Sequence, residues 1–305
     1  MKSFDRIDAC DWELIEDETA GVEIKWWLRD SENNSWLFKS VTVKDGFRYG
    51  EDWSELIASH LAGLISVPTA PVQLAHRDGF EGNISQNIRP ETHELQPGRV
   101  WMSSLRIPGY EPGNVRGRPG HSLTNICESL EGLLPPPNHE YPPSFSAYDA
   151  FCGLMILDAW ISNRDRHDEN WSVLIPLIPG EDKRLCGSYD LASSLGFNLH
   201  EEKLLRILAT PRGIHMWAER GTAHRLEHVP PSKPVTLVQA AKASLELASE
   251  EARQYWLAKI DSLDTTSAAA VVARVPEMSE ARRSFITELL SINAERLQNE
   301  CRINA

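Results

Sequence analysis

The sequence predicts an α+β protein in two lobes, a small strand-rich lobe followed by a larger and mostly helical one. Three observations predict it. The chain has 305 residues, more than one ordinary domain needs. Residues 1–90 read as β-β-α-β-β, a small sheet with one crossing helix. The last third carries long apolar stripes at helical spacing. The expected division is 1–90 for the first lobe and 91–305 for the second.

The first lobe opens with a strand pattern from Gly21 to Lys44. Val22, Ile24, Trp26 and Leu28 alternate with Glu23, Lys25, Trp27 and Arg29. Asp30 to Ser35 is turn material, and Trp36 to Val41 reads as the returning strand. Asp52 to Leu64 then reads as a helix. Asp52 is its expected N-cap and Glu55 the N3 partner of a capping box, with Leu56, Ala58, Leu61 and Ala62 as the apolar face. Pro68 stops that helix. Val72 to Ala75 and Gly82 to Ile88 are two further strands around the turn Asp78-Gly79.

Residues Arg89 to Pro143 are rich in Pro and Gly and read as the passage between lobes, with one short helix at Ser122 to Leu133. Ser146 to Ser162 is a strong helix through Tyr148, Cys152, Met155, Ile156, Ala159 and Trp160. Strands are expected at Trp171 to Ile175 and Leu185 to Tyr189, joined by a turn at Pro179 to Asp182. Val235 to Ala258 and Ser279 to Glu300 are long helices whose stripes pack against each other as core.

Composition narrows the function. Hydrophobic residues are 41% and charged residues 25%, an ordinary globular balance. No apolar run reaches the ~20 residues of a membrane span, and Met1 to Ala20 lacks a secretory pattern. The five cysteines are scattered and include no CxxC pair, which suits reduced thiols in a cytoplasmic protein. With a net charge of −13, neither nucleic acid nor a membrane is expected as a direct partner. The one basic, flexible stretch, Val115 to His121, is either an exposed loop or a holder of substrate or phosphate.

The chemistry concentrates in Asn163-Arg164-Asp165-Arg166-His167-Asp168-Glu169-Asn170. Phosphoryl transfer needs positioned metals and a group to accept the attacking hydroxyl's proton. Asp165 and Asn170 on one short loop suit both tasks, and the far strand of the following hairpin delivers a second carboxylate, Asp190. Magnesium prefers oxygen ligands and keeps waters, so one Asp, one Asn and phosphate oxygens suffice. Lys39 lies in an apolar strand where an unpaired ammonium is costly. Glu55 on the next helix is its natural partner, or else only a cap. His167 reads as a scaffold hydrogen-bonder or a general base, while Asp168 and Glu169 read as solvated neighbours. A zinc-hydrolase alternative fails because no HExxH is present.

The stretch Leu157 to Trp171 resembles the catalytic loop of HipA-like serine/threonine kinases, which are remotely similar to phosphatidylinositol 3/4-kinases. Tyr189-Asp190-Leu191-Ala192-Ser193-Ser194-Leu195-Gly196 looks like that family's second metal motif. Trp36-Leu37-Phe38-Lys39 and Gly50 to Glu55 look like its ATP-lysine strand and following helix. The resemblance spans about Gly21 to Gly196. It implies a bilobal protein-kinase-like fold and an ATP- and Mg2+-dependent enzyme. By it Asp165 is the catalytic base, Asn170 and Asp190 hold Mg2+, Lys39 grips the ATP phosphates and Glu55 orients Lys39. His167 belongs to the same catalytic loop, and the adenine meets backbone at Gln86, Asn87 and Ile88.

The family phosphorylates protein hydroxyls, including those of aminoacyl-tRNA synthetases, and its members often act as toxins held by an antitoxin. A protein substrate such as a translation factor and an antitoxin partner are therefore expected. A lipid or small-molecule kinase, or a nucleotide-binding pseudokinase, is the alternative. Two departures stand out. The tip Asp30 to Ser35 has no glycine, so Ser31, Asn33, Asn34 and Ser35 would have to cradle phosphate. The ATP-binding hairpin also begins early, without the N-terminal subdomain of longer members, which would then be a separate chain or missing.

Overall fold

The computed structural model describes residues 2–17, 24–137 and 139–302. The start of the first expected strand, Gly21 to Glu23, lies outside them. The first strands are β1 (Arg6–Asp8), β2 (Glu13–Asp17), β3 (Lys25–Arg29) and β4 (Ser35–Ser40). A two-residue hairpin follows, β5 (Val43–Lys44) and β6 (Phe47–Arg48), and then helix α1 (Glu51–Leu64), β7 (Val72–Arg77) and β8 (Phe80–Gln86). Six of these strands form one sheet in the order β1-β7-β8-β4-β3-β2, antiparallel except for the parallel β1–β7 pair.

Strands β1 and β2 did not announce themselves in the sequence. All five residues of β2 are exposed, so no apolar alternation marks it. β1 is only three residues long and is held from outside its own segment. Its Arg6 reaches Asp52 and Glu277, and the preceding Phe4 donates its N–H to the Arg274 carbonyl.

Alternation along β4 decides what each face of the sheet does. Trp36, Phe38 and Ser40 are buried on one side, where Phe38 and Trp36 join Leu28, Ala75 and Ile84 in a small outer core. Leu37 and Lys39 point to the other side, toward the rest of the molecule.

The segment expected to be a plain passage between lobes contains β9 (His93–Pro97) and α2 (Gly98–Ser104) before α3 (Leu123–Ser129). The central helix α4 (Ala147–Ile161) is buried along its whole length. It opens on the capping box Ser146–Asp149. β10 (Ser172–Pro176) pairs with β9 on one side and β11 (Arg184–Leu185) on the other. β11 is shorter than the sequence suggests. The chain leaves β10 after Cys186 and docks on Pro68–Ala70 instead, where Ser188 N–H meets the Pro68 carbonyl at 2.8 Å.

The remaining helices are α5 (Glu201–Ala209), α6 (Gly213–Glu219), α7 (Leu237–Glu246), α8 (Glu250–Asp261), α9 (Thr265–Ala273) and α10 (Glu280–Arg302). The continuous helix expected from Val235 to Ala258 is two helices. Ser249 caps α8 by accepting the Ala252 N–H, and this restart breaks the apparent stripe. One hydrophobic core joins α1, α4 and α7 to α10.

The Val115 to His121 stretch is not an exposed loop. Arg118 and His121 are buried, with His121 held between the Arg225 carbonyl and the Trp171 indole N–H.

Gly153 sits mid-helix in α4, where glycine ordinarily costs ~1 kcal/mol relative to alanine. A Cβ there would lie 2.4 Å from the buried Trp256 ring, whose Nε1 donates to the Asp149 carbonyl. Overpacking outweighs propensity at such a contact. Gly153→Ala is expected to lower unfolding stability by about 1–3 kcal/mol in a denaturant titration; a more stable variant would refute this packing.

Candidate active site

Two adjoining cavities, of about 190 Å³ and 550 Å³, share Lys25, Lys39 and Asp190 as walls. Strand register explains the upper wall. Lys25, Lys39 and Asn83 are cross-strand partners in one row over β3, β4 and β8, and Trp27, Leu37 and Ser85 form the next row on the same face. Two lysines side by side repel, so the row requires anions opposite it. They come from two other elements. Lys39 Nζ lies 2.8 Å from Asp190 Oδ1 and 3.4 Å from Glu55 Oε1. Burial pulls the Lys39 pKa down, but Asp190 and Glu55 outweigh it and hold the ammonium above the ordinary lysine range. Lys39 foremost, with Lys25 and His167 adding to it, holds Asp190 below the usual carboxylate range against its own burial.

Glu55 is not half of a capping box. The helix begins two residues earlier than expected, with Gly50 at the N-cap and no side-chain cap bond. Asp52 is drawn away instead, by Arg48 at 2.7 Å and Arg6 at 3.4 Å. Glu55 is thereby left to face the sheet. Its second oxygen accepts from Asn83 Nδ2 at 2.7 Å, which fixes the carboxylate under Lys39. Two contacts lock this helix to the far side of the cleft. Gly50 N–H donates to the Phe197 carbonyl at 2.9 Å, and Ser54 Oγ donates to the Ser194 carbonyl at 3.0 Å.

The loop Asn163 to Asn170 is positioned by a buried ion pair. α4 ends at Ser162, which takes the left-handed conformation, φ 55°. Asp158, in the last turn, receives Arg166 Nε and Nη2, both at 2.8 Å, and Asn163 Nδ2 at 2.7 Å. The same guanidinium reaches the Asn170 carbonyl at 2.5 Å and Ser188 Oγ at 3.1 Å. One side chain thus ties the helix end, both ends of the loop and the segment leading to Asp190.

Within that frame Asp165 lines the smaller cavity with Lys39, Glu55 and Asp190. Its Oδ1 accepts from Arg225 Nε at 2.6 Å, a partner 60 residues away that no local pattern marks. His167 Nε2 lies 3.8 Å from Asp165 Oδ2, and its Nδ1 accepts the Glu169 N–H. Burial lowers the His167 pKa despite Asp165, so the imidazole stays neutral at pH 7. Asn170 is buried and its Nδ2 donates to the Asp165 carbonyl at 2.8 Å, which leaves its Oδ1 as a ligand atom. Glu169 is exposed beside Arg99. Asp168 departs from expectation. It is buried, accepting the Tyr110 hydroxyl and the Gly113 N–H, and so anchors the loop from below.

The residues present fit a magnesium nucleotide. Asp190 offers hard oxygen atoms on the wall shared by both cavities, stays ionised, and its Oδ2 makes no hydrogen bond among the described residues, whereas Asn170, buried on the neighbouring loop, lines neither cavity. The larger cavity has apolar walls in Trp27, Leu37, Ala70 and Leu95 and ends at Gln86, Asn87 and Ile88. Of these three, Gln86 N–H is taken by Pro71 and Asn87 N–H by Ser35. Ile88 N–H has no partner among the described residues.

The tip expected to cradle phosphate lies away from both cavities. Ser31, Asn33, Asn34 and Ser35 line neither cavity. Arg29 pairs with Ser35 and Lys25 with Lys39, so the tip lies four residues, ~13 Å, along the hairpin from Lys39. Asp30 organises it, accepting from Asn34 and Trp36 Nε1.

No family model and no curated protein matches the sequence. Solved structures do match in fold. The chain is similar to the proinflammatory kinase CtkA of Helicobacter pylori, with a TM-score of 0.74 and 14% identity over 99% of this chain and 100% of that one. It is also similar to the toxin–antitoxin HipA, HipB and operator DNA complex of Shewanella oneidensis MR-1. There the TM-score is 0.57 and the identity 13%, over 95% of this chain and 68% of that one. The fold is kinase-like, with a strand-rich N-terminal part and a helical C-terminal part.

Two outcomes follow from the charges. Arg166→Met strands the buried Asp158 carboxylate and is expected to cost about 3–5 kcal/mol of stability by denaturant melt; Asp158→Asn with Arg166→Met together should recover part of it. The Lys39–Asp190 pair has a pH window. Asp190, its pKa depressed, contributes stability above its unfolded value of ~4, lost as pH falls through the folded pKa. Lys39, its pKa raised, contributes below its unfolded value of ~10.4, lost as pH rises through the folded pKa. The stability difference between wild type and Lys39→Met should therefore be flat from pH ~5 to ~9 and shrink outside it.

Proposed function

We propose that this chain is an ATP- and Mg2+-dependent serine/threonine protein kinase, transferring the γ-phosphoryl group to a protein hydroxyl. The observation that carries the proposal is a single polar cavity lined by Lys39, Glu55, Asp165 and Asp190. It adjoins a larger, partly apolar cavity of a size suited to a nucleotide. The likeness in fold to CtkA, called a kinase, and to HipA of a toxin–antitoxin system supports the same reading.

Each residue then has a task. Ile88 N–H and the apolar walls hold the base. Lys39 exchanges part of its hold on Asp190 for phosphate oxygens, and Glu55, fixed by Asn83, keeps the ammonium in the cleft. Asn170 and Asp190 would hold the divalent cation, which supplies neutralisation of charge on the phosphate oxygens. Asp165 orients the acceptor hydroxyl and takes its proton, while Arg225 and the neutral His167 fix the carboxylate's direction. Binding of the acceptor in the cytoplasm, growth arrest through a translation component and restraint by an antitoxin belong to the same proposal.

Purified protein incubated with labelled ATP, Mg2+ and a cell lysate should label protein on serine or threonine. Asp165→Asn and Asp190→Asn should each lose roughly 10²–10⁴-fold in rate while remaining folded. Label equal in wild type and variants would reject the kinase reading. Label that extracts with lipid or small molecules would reject the protein substrate alone.

A further inference from the structure

Beyond Asp165, on the side away from Lys39, the cleft opens into a basic pocket. A cavity of about 400 Å³ touching Asp165, Arg164, Trp217 and Arg225 abuts a second of about 400 Å³, with Arg164 and Trp217 shared between them. The second is walled by Arg164, Lys203, Arg206 and Arg220, and no Asp or Glu lines it. This contrasts with the chain's net charge of −13.

The pocket is built rather than incidental. Lys203 and Arg206 sit three residues apart on α5 and so share a face. α6 is turned back against α5 at Gly213, where a Cβ would lie 2.1 Å from the Ile207 carbonyl. Trp217 is wedged edge-on against the buried Phe285, with ring centroids 5.2 Å apart, and forms the floor. Arg206 pairs with Glu202 at 3.3 Å. Arg164, Lys203 and Arg220 have no carboxylate within ion-pair distance among the described residues. Three cations left unpaired in one concave, partly apolar site repel one another, and they focus a positive field on whatever enters it.

We propose that this pocket selects the substrate: the acceptor serine or threonine lies at Asp165, and acidic side chains a few residues away in the same peptide occupy the basic pocket. This deepens the kinase reading and rests on it for the acceptor, but the pocket's preference for acidic peptide does not depend on transfer. A continuous path from Asp165 through Arg164 to Lys203 and Arg220 fits one short extended segment. Its anionic groups are carboxylates, which two or three dispersed cations match.

The experiment separates the two readings. Fluorescein-labelled serine peptides flanked by glutamate, alanine or lysine are titrated into the Asp165→Asn protein and followed by polarisation. The same peptides are assayed for phosphorylation by the wild type. The glutamate peptide should bind and react best, by roughly tenfold over the alanine peptide, and more weakly as salt rises. Lys203→Glu with Arg220→Glu should abolish or invert that preference without altering the KM for ATP. Glutamate-selective binding without phosphorylation leaves the pocket assigned and removes the kinase reading. Binding indifferent to flanking charge, or unchanged in the double variant, overturns the proposal. So does tighter binding of single-stranded RNA than of the glutamate peptide.

Discussion

The buried pair of Asp158 and Arg166 is the constraint on which the site depends. Two charges withdrawn from water are expensive, and their mutual attraction repays this only with near-ideal geometry and every donor used. The geometry here is near-ideal: Asp158 receives three donors, and Arg166 gives two further N–H groups to the Asn170 carbonyl and Ser188. A loop that turns at a left-handed serine has no secondary structure of its own. The guanidinium supplies the rigidity, so Asp165, Asn170 and the approach to Asp190 are set by one side chain. Asn293 adds support from α10, donating to Ser162 Oγ at 2.8 Å and to the Trp160 carbonyl at 3.0 Å.

Across the cleft the logic reverses. The sheet contributes cations, Lys25 and Lys39, and the anions arrive from α1 and from the segment beyond β11. Neither side is electrostatically complete alone. That complementarity couples the strand-rich part to the helical part through groups which, in the proposed reaction, would turn to phosphate and metal.

What the sequence disclosed follows the range of each interaction. The loop Asn163 to Asn170 was legible because its pattern is local, and Lys39 and Asp190 because each sits in a recognisable motif. α4 was legible from the helical spacing of its apolar residues. Partners set by tertiary approach were not. Arg225 meets Asp165 from 60 residues away, and Tyr110 buries Asp168 from 58 residues away. Lys25 could be read only as one strand residue among several until register placed it beside Lys39. The capping box at Asp52 is absent because the helix starts at Gly50, which puts Asp52 inside the first turn, where Arg6 and Arg48 pair with its carboxylate. Ser31, Asn33, Asn34 and Ser35 line neither cavity because strand register carries the tip four residues along the hairpin from Lys39. The break between α7 and α8 was within reach, since Ser249-Glu250-Glu251 is a helix start, but the apolar stripe continued across it by coincidence.

The bonds that join α1 to the segment after Asp190 have a mechanical meaning. A helix that bears the carboxylate partner of a cleft lysine is a natural lever, since rotating it outward withdraws the carboxylate. Here the helix start is bonded to the Phe197 carbonyl, Ser54 to the Ser194 carbonyl and Ser59 Oγ to the Ala70 carbonyl. Swinging it would break these together, at ~1 kcal/mol each, and also open the buried apolar face beneath it. α1 is therefore a wall and not a hinge. A helix held in this way keeps the Glu55 carboxylate under Lys39 as a fixed part of the fold.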